Sequence, residues 1–254
     1  MPEPPNETGT ALHGRRALLT KHPWVTFLLP LVVFMVITGL EPKPADAGYG
    51  FYPCIYTVKI ALTLLAVWFV LPGYPALPWK VGSLAVAVGV VGAAVWVGLC
   101  ELKIKQTCFQ PALEKVDLGW IITSGARSEY NPMEQLAGQP LMARSFLAVR
   151  FFGLVVVAAV IEEMFLRGFL MRFAVAGNWP KVPFGKVNAT AVVIGTVFSV
   201  LMHPGELLAA AVWFSMVTWL MVKTRSIGDC ITAHATTNLL LGIYVVRTGT
   251  WSLM

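Results

Sequence analysis

The chain has 254 residues, 57% of them hydrophobic and 13% charged, with a formal net charge of +6 and a mean hydropathy of +0.70. A soluble domain carries about 25% charged residues. Too few are present to cover a water-facing surface of this size, and the long apolar runs point to lipid as the solvent. The basic residues lie between those runs and form no stripe interleaved with aromatics, so no nucleic-acid partner is expected.

Residues 1–22 are polar and Pro-rich and read as a disordered cytoplasmic tail, with Arg15, Arg16 and Lys21 just before the first apolar run, 24–40. No small-residue cleavage site follows that run, which reads as a retained span. A Pro- and Gly-rich loop at 41–53 precedes a second span at 55–71. The turn 72–78 leads to Trp79 and Lys80, an interfacial anchor. The third span, 81–99, is rich in Gly, Ala and Val, which permits close helix approach. Residues 101–144 mix charges with Pro and Gly. They read as an interfacial helix and loop and are too few for a separate core. Residues 146–175 form one long apolar helix interrupted by charges; further spans follow at 187–203, 207–222 and 227–246. The expected fold is all-α: a polytopic transmembrane bundle of about seven to eight spans, whose last part, 145–254, forms the core that carries the chemistry.

With the N-terminus in the cytoplasm, the inner segments carry Arg15, Arg16, Lys21, Lys80, Arg172, Lys181, Lys186, Lys223 and Arg225. The short outer segments carry Lys43 and Arg247. That asymmetry obeys the positive-inside rule. The four cysteines, Cys54, Cys100, Cys108 and Cys230, make no CxxC or zinc spacing. A disulfide from Cys54 to Cys100 or Cys108 is open to the outer side, but buried or interfacial thiols are the favoured reading.

Ionisable groups inside spans each cost about 2.5–3.5 kcal/mol on insertion scales, so those that persist are candidate functional groups. In Glu162-Glu163-Met164-Phe165-Leu166-Arg167, Glu163 and Arg167 stand one turn apart and can pair. Glu162 is rotated about 100° away and lacks that partner. A carboxylate so placed is a candidate general base. The competing reading is a helix-packing salt bridge without catalysis. His203 ends the fifth span, where a lone histidine is more often interfacial or capping. His234 and Asn238 are i and i+4 on the last helix and need buried partners. They could equally be interhelical glue. Thr236 and Thr237 can bond to their own helix backbone and need no special role.

The order Glu-Glu-x-x-x-Arg, then a histidine ending a span, then His-x-x-x-Asn resembles the CPBP family of CAAX prenyl proteases and bacteriocin-processing relatives, the glutamic intramembrane proteases. The resemblance covers about residues 145–246 and extends to a branch found beside exosortase sorting systems. It implies that Glu162 with His203 activates water, that His234 and Asn238 stabilise the oxyanion, and that Glu163 and Arg167 hold the first motif. It implies no cofactor and a membrane-associated protein or peptide substrate, which could be CAAX-type or a sorting signal. Its usual Phe-x-x-x-His has Ser199 in the Phe position here, with Phe198 one residue earlier. Two carboxylates and two histidines could also bind zinc, though His-Glu-x-x-His is absent. A non-catalytic membrane partner on the same scaffold and a proton-coupled transporter are the competing functions. No inverted repeat supports the transporter.

Depth poses a difficulty. With His203 at the outer end and His234 about six residues from the inner end, the two differ in depth by more than ~10 Å at 1.5 Å per residue. A shared site then requires different helix boundaries near Pro204-Gly205, or a short, tilted or broken sixth helix.

Overall fold

The computed structural model describes residues 7–44, 46, 48–102, 114, 115 and 129–253. These residues form helices and turns, with no strand among them. We number the helices α1 (Glu7–Lys21), α2 (Pro23–Thr38), α3 (Tyr52–Val70), α4 (Ser83–Glu101), α5 (the continuous stretch Pro140–Val175), α6 (Ala189–Leu201), α7 (Leu207–Thr224) and α8 (Ile227–Thr248). The expected interfacial segment falls largely outside the described residues, as does Cys108. Its described end is a single helical turn, Pro132–Gln135, capped by Asn131. Cys54, Cys100 and Cys230 are not in disulfides.

Two expectations are corrected. Residues 7–21, expected as a disordered tail, are helical, and Leu19 is buried. Pro23 starts α2 because its missing N–H costs nothing at a helix start, and the chain turns there by 97°. Fewer helices among the described residues than the seven to eight expected spans are long and apolar enough to cross a bilayer on their own. Seven helices lie near the seven expected positions, but four among the described residues are long and apolar enough to cross a bilayer, or five if the bent α1–α2 pair counts as one. The 13-residue α6 spans only about 20 Å. Within α8, Asp229, His234 and Asn238 dilute the apolar character.

Polar side chains fix the helix starts. Asn188 Oδ1 accepts from Ala191 N at 2.8 Å to cap α6. Ser226 caps α8 and ties it to the segment before α4, accepting from Lys80 N at 2.9 Å and donating to Lys80 O at 2.6 Å. Asp229 accepts from Gly82 N at 2.8 Å. These bonds gather the starts of α4 and α8 at one end of the bundle. Arg225 approaches Gly185 at the same end. Arg172 donates to the Pro180 and Val182 carbonyls. Arg15 lies over the Trp68 ring.

Small residues let α4 and α8 meet closely. A Cβ on Gly89 would lie 2.7 Å from the Ala233 carbonyl oxygen and 2.5 Å from Thr236 Cβ. Gly89→Ala must therefore force two backbones apart. It is expected to destabilise the protein by about 1–3 kcal/mol, read by thermal unfolding in detergent.

Candidate active site

The long helix α5 is not uniform. Two π-helical stretches, Gly153–Ala158 and Met164–Leu170, flank the α-helical turn Ala159–Glu163 that carries both glutamates. π segments rotate the side chains that follow them and recur at functional sites. Here the first is braced from α8: Asn238 Nδ2 donates to the Leu154 carbonyl at 2.8 Å.

Glu163 and Arg167 are both fully buried and form an ion pair. Arg167 also donates to the Phe214 carbonyl at 3.3 Å, so it ties α5 to α7. The other oxygen of Glu163 meets His234 Nδ1 at 2.9 Å. A carboxylate engaged with a guanidinium can only accept, so Nδ1 carries the hydrogen. In the neutral ring Nε2 then presents its lone pair. That nitrogen lies 3.9 Å from Glu162 Oε2. Glu162 keeps a quarter of its side chain exposed and lines a cavity of about 580 Å³. Glu162, His203, His234 and Asn238 all face this one cavity.

The depth difficulty is resolved by a side chain and a short helix. Helix α6 stops at Leu201, and a single 3₁₀ turn at Pro204–Glu206 passes the chain into α7. His203 folds back along α6, its Nδ1 donating to the Ser199 carbonyl at 2.9 Å. Its ring then packs on Phe214, centroid to centroid 5.3 Å, while His234 approaches the same Phe214 ring at 6.2 Å. The two histidines thus flank one aromatic ring. Ser199, in place of the usual Phe, donates to the Gly195 carbonyl and is buried. Phe198 packs on Phe165, 5.2 Å between centroids, and so supports the glutamate helix from α6.

Sequence reasoning missed four supports of this centre. Trp213 stacks edge-on against His234 at 4.6 Å, and Trp96 does the same against His203 at 5.6 Å. Thr237 joins three helices: it accepts from Trp213 Nε1 at 2.9 Å and donates to the Gly89 carbonyl at 2.9 Å. Gly92 leaves room for the Trp213 ring. Only Thr237, at i+3 from His234 on an amphipathic helix, carried a sequence signal for this. A second pair, Lys59 with Glu41, is buried at another part of the cavity wall.

Among the described residues, no group of three or more His, Cys, Asp or Glu is placed to hold a metal ion. No curated protein and no solved structure gives a significant match to the chain. A family model does. Across residues 144–240, which hold every one of the motif residues, the chain matches the type II CAAX prenyl endopeptidases, Rce1-like, and so agrees with the CPBP resemblance of its motifs.

Proposed function

We propose that this integral membrane protein is an intramembrane endopeptidase that hydrolyses a peptide bond of a membrane-associated substrate with water activated at Glu162. The observation that carries the reading is the contact of Glu162 with His234 Nε2 in a cavity, while Glu163 holds the opposite ring nitrogen. Glu163 acts on His234 as a buried carboxylate acts on the histidine of a hydrolase triad: it fixes the tautomer and supports positive charge on the ring. Glu162 is the partly exposed carboxylate, so it meets the water. It takes the proton as the hydroxyl attacks the scissile carbonyl and returns it to the leaving amine.

The histidines and Asn238 supply the remaining polarity. His203, its Nδ1 held by the Ser199 carbonyl, orients the water or the carbonyl through Nε2. His234, when it holds a proton on Nε2, donates to the developing oxyanion. Asn238 spends one amide hydrogen on Leu154 and has a second for that task. Glu163 and Arg167 position the motif and contact no substrate. A dry site strengthens each of these interactions.

The cavity wall includes Gly39, Glu41, Pro204, Gly205, Glu206 and Leu253. These lie at the bundle end away from the basic residues gathered around Lys80 and Arg225. With the basic end in the cytoplasm of a bacterial-type inner membrane, substrate enters from the opposite side. CAAX-type tails and sorting signals are both compatible chemistries.

Comparison of membrane proteomes from cells carrying wild type or Glu162→Gln tests the proposal. At least one membrane protein is expected to persist uncleaved in the variant. Identical proteomes, with both forms expressed at equal level, would show that the chain is not a protease of that kind.

A further inference from the structure

A second polar centre lies in the same cavity and takes no part in the chemistry above. Lys59 sits in the middle of α3 and is 97% buried, yet it lines the cavity. Three of its partners are on rigid helices. The Phe34 and Tyr56 rings lie 4.5 and 4.2 Å from Nζ, and Thr38 Oγ1 accepts at 3.4 Å. Its fourth partner is the carboxylate of Glu41. Glu41 is on the connecting segment beyond α2, next to the exposed Leu40.

The ammonium site is therefore preformed, and its anion is delivered by a loop. A buried ion pair is a weak source of stability, and an ionisable residue in a membrane span is a functional candidate by default. The cavity is lined by charges of both signs. Lys43, Lys59 and Arg150 line it together with Glu41, Glu162 and Glu206.

The distance suits a peptide. Tyr56 and Ile60 of α3 pack at Gly153 of α5, which has no side chain to exclude them. From Gly153 to Glu162 along α5 is roughly 13 Å at 1.5 Å per residue. An extended chain covers this in about four residues.

We infer that Lys59 is a specificity subsite for a carboxylate of the substrate, lying about four residues from the bond cut, and that Glu41 occupies it until the substrate displaces it. The inference rests on the protease reading of the same cavity. The carboxylate can belong to an acidic side chain or to a chain terminus.

The test uses four palmitoylated, fluorescent decapeptides of one sequence, with Glu or Gln at position six and an acid or amide terminus. Binding is read by anisotropy on the Glu162→Gln protein in nanodiscs, and cleavage by mass spectrometry on the protein with Glu162 intact. In the Glu41→Gln form of the Glu162→Gln protein, where no bond to Glu41 has to be broken, one charge-assisted bond predicts at least about tenfold tighter binding of a carboxylate peptide than of the doubly neutral one. The arm that carries the gain identifies the source. The preference should be smaller with Glu41 in place, whereas a merely structural pair would give no preference in either protein. Lys59→Met with Glu41→Gln, which removes both charges and leaves neither unpaired, should bind all four equally.

Equal binding of the four peptides to the Glu41→Gln form, or no binding of any, overturns the inference. So does a preference that survives in the Lys59→Met/Glu41→Gln protein. Preferential binding without cleavage keeps the subsite and counts against the protease reading. Cleavage without preference does the reverse.

Discussion

His234→Gln is expected to lower the cleavage rate by about 10²–10⁴, the range that one positioned acid–base group supplies. The argument is geometric. His234 is the one side chain whose two ring nitrogens face the two motif glutamates, Glu163 at 2.9 Å and Glu162 at 3.9 Å. Glutamine can keep a single bond to Glu163 but cannot carry a proton across the ring. The fold should survive, because Trp213 and Phe214 still cover the position. Single-turnover rates in nanodiscs, with thermal unfolding as the control, check this. A rate within threefold of wild type would remove His234 from the chemistry.

Arg167→Met should have the largest effect on stability. Arg167 and Glu163 are both fully buried, so neither charge has water to fall back on. Removing one partner of such a pair leaves an uncompensated charge and costs about 3–5 kcal/mol. The Phe214 carbonyl loses a donor as well, which loosens α7 against α5. Glu163→Gln combined with Arg167→Met leaves no lone charge and should recover part of the loss. Unfolding of both variants in detergent measures the difference. Equal stability of single and double variants would contradict the buried-pair account.

The sequence and the structure agree where a pattern is carried by one helix. Glu163 and Arg167 stand one turn apart, and their pairing was legible from that spacing alone. The apolar runs located the helices of the bundle, but among the described residues fewer of these are long and apolar enough to cross a bilayer. Hydropathy does not reveal that α6 has only 13 residues, nor that polar groups thin the apolar face of α8. Interactions between helices were not legible. His234 reaches Glu163 across 71 residues, and Thr237 reaches Gly89 across 148. The pairing of Lys59 with Glu41 was not legible either, because Glu41 lies 18 residues away in a loop. The π segments of α5 left no mark in the periodicity. The depth puzzle was posed by helix ends, and its answer lay in a side-chain direction, the return of His203 along its own helix.

The roles of the two glutamates sharpen accordingly. Glu163 does more than neutralise Arg167: it also orients His234. Glu162 keeps contact with the cavity, and in the proposed mechanism it is the group that activates water. Turnover of a membrane-anchored substrate by purified wild type and Glu162→Gln, reconstituted in the same lipid, tests this most directly. The variant should fold and bind substrate as wild type does while cleaving it at least about a thousandfold more slowly. Cleavage by Glu162→Gln at the wild-type rate would contradict the assignment of the base.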